Sequence, residues 1–158
     1  PLVISLQPLI FGISQLVTAL QIGVFFAIGL YKVRKPGSLL IMALMMGLIQ
    51  LMMSPPMFLS SVLNGVLIEL IVLLLFGGYE KDSAVFCAAM LHTPLSLPFN
   101  YLYNRLIKGA DSPLAAVADR APLAAVGMTL AVIAVSALGA LIGIKIAREL
   151  KKSGVLKK

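Results

Sequence analysis

Charged residues are sparse along this chain and fall in groups. Residues 1–31, 36–68, 83–104 and 121–144 carry no Asp, Glu, Lys or Arg at all. A bilayer hydrocarbon core of about 30 Å is crossed by roughly 20 apolar residues of helix. Each charge-free run is therefore long enough to span. The second run is divided by Pro55-Pro56, because adjacent prolines remove two backbone donors and cannot continue a helix. The pattern predicts helices over about 9–31, 37–53, 57–76, 83–104 and 122–146, followed by a basic tail over 147–158. The expected fold is an all-α integral membrane protein: one domain over 1–158, a bundle of five transmembrane helices.

Composition supports this and removes other classes. Of 158 residues, 60% are hydrophobic and only 12% charged, with a mean hydropathy of +1.04. A soluble domain carries about 25% charged residues, so a soluble fold, a disordered chain and a nucleic-acid-binding module are all excluded. With one cysteine, Cys87, and one histidine, His92, no disulfide framework or multi-histidine metal site is expected. No phosphate-binding loop, zinc-protease or serine-hydrolase motif is present, so the expectation is a non-enzyme that binds no cofactor of its own.

The cations set an expected orientation. Lys32, Arg34, Lys35, Lys81, Lys145, Arg148, Lys151, Lys152, Lys157 and Lys158 fall on one side of the predicted spans, against Arg105, Lys108 and Arg120 on the other. That places the protein in the cytoplasmic membrane with its C-terminus in the cytoplasm. The basic tail is expected either to rest on anionic lipid or to contact a cytoplasmic partner.

Polar residues inside the spans concentrate toward the opposite, outer side. Gln15, Gln50, Ser60, Asn64, Asn100, Tyr101, Tyr103 and Asn104 line up there, while the inner halves are mostly Leu, Ile, Val, Met, Ala and Gly. Amides and phenols donate and accept without charge, which suits a heteroaromatic ring bearing nitrogen and hydroxyl groups. These residues, with His92, are the candidate substrate site. Glu69 and His92 are ionisable groups within the spans, at matching depth on adjacent antiparallel helices, and are expected to form a polar pair. Pro94 and Pro98 each remove a backbone hydrogen bond from the fourth helix, which fits either a broken helix of the kind that builds transporter sites or an ordinary kinked packing helix. Two small-residue ladders, Ala19-Gly23-Ala27 and Gly139-Gly143-Ala147, allow close helix approach, either within the bundle or to a second membrane subunit.

Several strings carry a resemblance. They are Lys32-Val-Arg-Lys-Pro-Gly37, Gly65-Val-Leu-Ile-Glu-Leu-Ile71, Gly77-Gly-Tyr-Glu-Lys81 and the closing Gly139-to-Val155 segment. In this order the chain, from about Lys32 onward, resembles the substrate-binding S components of energy-coupling factor (ECF) vitamin transporters. The resemblance implies six helices with both ends in the cytoplasm, which places one more helix ahead of Pro1. It also implies a small-molecule pocket near the outer face, and a complex with one membrane T subunit and two ATPases that use the ATP. The expected substrate is a vitamin or precursor of the hydroxymethylpyrimidine, thiamine or B6 type. On the residues alone two other readings stand beside it. One is a self-sufficient small permease coupling protons through Glu69 and His92. The other is a membrane assembly subunit without a ligand.

Overall fold

A computed structural model describes residues 2–52, 55–103, 105–106 and 122–155, with backbone only for 2–15, 122 and 124. Five long helices make up the described chain: α1 (Leu2–Val33), α2 (Ser38–Leu51), α3 (Pro55–Phe76), α4 (Asp82–Tyr103) and α5 (Pro122–Lys152). The all-helical expectation holds. Two boundaries move outward: α1 begins seven residues earlier than the expected 9, and α5 carries the first part of the basic tail as helix. At 1.5 Å per residue, the 32 residues of α1 and 31 of α5 measure about 48 and 46 Å, well beyond a hydrocarbon core.

By length and apolarity, three segments qualify as spans: Leu16–Val33, Pro55–Phe76 and Ala125–Lys152. The 14 residues of α2 reach only about 21 Å, short of the expected crossing. The α4 helix has the length, but Asp82, His92, Thr93, Asn100 and two prolines dilute its apolar character. Of the two readings of the α4 prolines the broken helix is not seen, since the helix runs on through Pro94 and Pro98. Proline removes the N–H that would reach the carbonyl four residues back. In the same stretch the Ser96 hydroxyl donates to the Thr93 carbonyl at 2.7 Å.

The packing follows from where the chain is small. On α5, a Cβ added at Gly139 would stand 2.5 Å from the Leu20 carbonyl oxygen, and one at Gly143 would stand 2.7 Å from Ala27 Cβ and the Val24 oxygen. A Cβ at Gly23 of α1 would stand 3.0 Å from the Ser136 oxygen. The two small-residue ladders therefore face each other, and α1 and α5 run parallel at close approach. With no hydrophobic drive between helices in lipid, van der Waals contact of this kind holds them together. Between α2 and α3, Gly65 meets Ala43 and the Ser61 hydroxyl donates to the Ala43 carbonyl at 3.0 Å. The α4 helix lies among α1, α3 and α5. Its Ala84, Val85, Ala88 and Ala89 join Phe26, Leu30, Ile68, Val72 and Ala140 in one buried core. Much of the remaining apolar surface faces outward, as a helix in lipid requires: Phe25, Leu74, Leu75, Leu130 and Leu141 are all exposed.

Candidate functional site

One end of the bundle is tied by a polar clamp. The α1 helix stops at Arg34, in the left-handed region at φ 46°, and its N–H donates to the Leu30 carbonyl. Gly37 follows at φ 85°, a value that L side chains rarely adopt, and starts α2. Its N–H donates to Glu69 Oε1 at 2.6 Å, and the Tyr79 hydroxyl donates to Glu69 Oε2 at 2.9 Å. Glu69 thus joins the α1–α2 and α3–α4 loops. Tyr79 is wholly buried, and that burial together with its bond to Glu69 pushes its phenol above the ordinary range.

Beside this, Asp82 accepts from Arg34 through Oδ1 and from Arg148 through Oδ2, the latter at 2.6 Å. Arg34 also donates to the Glu80 carbonyl and covers the Tyr31 ring at 4.0 Å. Partial burial works to raise the Asp82 carboxyl, but the hydrogen bonds and charges of Arg148 and Arg34 outweigh it and hold the group below the usual carboxylate range.

The expected Glu69–His92 pair does not form. Both Glu69 oxygens are used by Gly37 and Tyr79, and among the described residues neither His92 nitrogen has a hydrogen-bond partner. The reason is the loop geometry, which brings two donors to Glu69 from its own end of the bundle. His92 lies deeper, with its ring 4.3 Å from that of Phe26 and tilted by 38°.

Deeper in the bundle a second polar set appears, of a different kind. Asn64 on α3, His92 and Thr93 on α4 and Ser136 on α5 are buried, and among the described residues none of their side-chain polar atoms has a hydrogen-bond partner. They share a level. His92 is ten residues along α4 from Asp82, about 15 Å. Ser136 is twelve residues before Arg148, and Asn64 twelve before the end of α3, each about 18 Å. Two of them meet the same turn of α1: the Ser136 backbone faces Gly23, and His92 packs on Phe26, three residues further on. Leaving a buried donor or acceptor unmet costs about 1–3 kcal/mol per group. Such a layer suits a partner that presents several hydrogen-bonding atoms at once. Pro94 adds to it by sparing the Met90 carbonyl its helical donor.

Of the residues expected to bind substrate, Asn64 and His92 are in this layer. Gln50, Ser60, Asn100, Tyr101 and Tyr103 are half-buried nearer the other end of the bundle, where Tyr101 accepts a hydrogen bond from Arg105. The side chain of Gln15 and the whole of Asn104 lie outside the described residues. Thr93 and Ser136 were not foreseen. For Ser136 the available signal was a lone hydroxyl one turn before Gly139-Ala140, in an otherwise apolar stretch. The ladder residues Ala19, Gly23, Ala27, Gly139, Gly143 and Ala147 are all buried within the bundle, so their close packing is spent inside it. Of the two readings of these ladders, packing within the bundle is the one the structure shows, and the docking face for a partner helix is not.

Helices of this length, apolar outside and packed through small residues inside, define an integral membrane protein. The chain belongs to the Trep_Strep family, described as hypothetical bacterial integral membrane proteins, whose family model matches residues 2–152. No curated protein and no solved structure matches it.

Proposed function

We propose that this protein is the substrate-binding S component of an ECF-type importer. In this reading it captures a small neutral ring compound from outside the cell, of the hydroxymethylpyrimidine, thiamine or B6 type, and catalyses no reaction. A membrane T subunit and two ATPases are its partners, ATP being used by the latter. The observation that carries the reading is the buried layer of Asn64, His92, Thr93 and Ser136. Its amide, imidazole and hydroxyl groups offer both donors and acceptors without a fixed charge at hand, which matches ring nitrogens and a hydroxymethyl group. The resemblance of the loop strings to S components supports the same class. The C-terminus is cytoplasmic in this reading, with the Glu69 and Asp82 clamp on the inner side.

The test is direct. The chain is purified, its bound small molecules are identified by mass spectrometry, and thiamine, hydroxymethylpyrimidine and pyridoxine are titrated calorimetrically. Asn64→Ala and His92→Ala should each weaken binding by about tenfold or more, from the loss of a buried hydrogen bond. Co-purification with two ATPases and a basic helical membrane protein should accompany it. Binding of none of these ligands, with no bound molecule and no such partners, refutes the reading.

A further inference from the structure

A groove of about 640 Å³ runs between α4 and α5 at the clamped end of the bundle. It changes character along its length. On α5 its wall passes from Leu141 and Ile144 to Lys145, Arg148 and Lys152. Leu141, Lys145, Arg148 and Lys152 are spaced 4, 3 and 4 residues apart, which sets them in one stripe on the helix. Across the groove, α4 contributes Phe86 to the apolar part and Ser83 and Asp82 to the polar part, and Glu149 of α5 also lines it, so the wall sets three cations against two carboxylates. The stripe turns cationic as α5 rises past the hydrocarbon run, which ends with Ile144, the last residue of an uncharged segment.

We infer that this groove is a binding site for an anionic phospholipid, with the acyl chain along Phe86, Leu141 and Ile144 and the headgroup phosphate against Lys145 and Lys152. The charge arrangement selects this occupant. Arg148 is engaged by Asp82, and Lys152 by Glu149 at 2.8 Å, whereas Lys145 acts on Glu149 only through its charge and makes no ion pair in contact among the described residues. A phosphate placed between Lys145 and Lys152 meets a net positive wall, and its apolar tail meets a floor at hydrocarbon depth. A free phosphate gains nothing from that floor, and a zwitterionic lipid brings a choline that the cations repel. The site does not depend on the proposed transport role, since its lining shares no residue with the buried polar layer and its cations Lys145 and Lys152 lie nine and sixteen residues along α5 from Ser136.

The purified full-length chain is titrated in detergent with dioleoyl phosphatidylglycerol and, separately, with dioleoyl phosphatidylcholine, and lipid adducts are counted by native mass spectrometry. Phosphatidylglycerol should bind at least about tenfold more tightly. A juxtamembrane cation contributes about fivefold in affinity for anionic lipid. The double variant Lys145→Gln, Lys152→Gln should therefore lose about 25-fold. The charge-matched pair Lys32→Gln, Lys151→Gln, away from the groove, should lose less than about fivefold. Phe86→Ala should weaken lipid binding with all cations in place, and melting curves confirm that each variant is folded. Equal binding of the two lipids, equal loss in the two double variants, or displacement by millimolar inorganic phosphate overturns the proposal. None of these results bears on vitamin binding, so the two readings fail separately.

Discussion

Gly139→Ala and Gly127→Ala place the same methyl group on the same helix and are expected to act in opposite directions. Among the described residues, a Cβ at Gly127 has nothing within 4 Å. A Cβ at Gly139 stands 2.5 Å from the Leu20 carbonyl oxygen and 3.2 Å from its carbonyl carbon and Cα. These neighbours are backbone and cannot swing aside. To reach the 3.4 Å at which such contacts become ordinary, the two helices must part by about 0.9 Å at that point. The shift is felt by Gly143 and Gly23, which hold the same interface. Both substitutions gain the helix propensity of alanine over glycine, about 1 kcal/mol, so the difference between them isolates the packing. Overpacking of this kind costs about 1–3 kcal/mol. For a chain of 158 residues, that corresponds to a gap of about 2–12 °C in melting temperature. Thermal melting in one detergent, followed by circular dichroism or tryptophan-free dye fluorescence, reads the gap. Gly127→Ala should melt at or above the parent and Gly139→Ala below both. If Gly139→Ala melts as high as Gly127→Ala, the parallel α1–α5 contact is wrong.

The clamp and the buried layer give further expectations. Glu69→Ala leaves the Gly37 N–H and the Tyr79 hydroxyl without their acceptor and should destabilise the fold by about 2–6 kcal/mol, at about 1–3 per unmet group, whereas Tyr79→Phe removes a single donor and should cost about 1 kcal/mol; melting of the two variants checks the order. Asp82 is held below its ordinary range in the fold, so its stabilising contribution is complete above about pH 4. It fades as pH falls through the lowered value, and Asp82→Asn should show a shallower acid-side loss of melting temperature than the parent. Ser136→Ala removes an unpartnered hydroxyl, so it should leave the unliganded protein as stable as before or slightly more so while weakening any ligand that uses the layer; melting and calorimetry on the same sample separate the two effects.

The elements were legible because the signal for a membrane helix is strong: a long run without charge reads plainly, and four such runs with one double proline yield five helices. The helix ends were less legible. In α5 the basic residues from Lys145 onward continue the helix, since lysine and arginine are good helix formers once outside the apolar core. The ladders were visible, but spacing alone does not say which neighbour fills them; that depends on α1 and α5 running parallel, a long-range fact. The Glu69–His92 expectation failed for a related reason. Depth was judged along two helices, while the partners of Glu69 come from loops, from a backbone N–H at Gly37 and from Tyr79. Backbone donors carry no side-chain signature. Asn64 and His92 stood out as polar residues in apolar helices, and both proved to be buried without partners.

The two polar sets differ in a way that bears on what each can do. In the clamp itself the central groups are matched: Glu69 by two donors, Asp82 by two guanidinium groups, Arg34 by a carboxylate, a carbonyl and a ring. Matched groups of this sort fix the loops and have little left to offer a ligand. In the deeper layer the groups are uncharged amides and hydroxyls with an imidazole, and they are unmatched. They also belong to different parts of the bundle. Ser136 and His92 meet the tightly packed α1–α5 pair, whereas Asn64 belongs to α3, which is packed with α2 through Gly65 and Ala43. Contact between α1 and α2 is slight beside either of these pairings, so α4 is the main bridge between them. A ligand that hydrogen-bonds to Asn64 on one side and to Ser136 on the other would add a second bridge at mid-depth, where the protein's own groups leave one unmade. Binding there would then be felt as a change in how the two helix pairs are held together, and this couples occupancy of the layer to the shape of the bundle without any charge being moved.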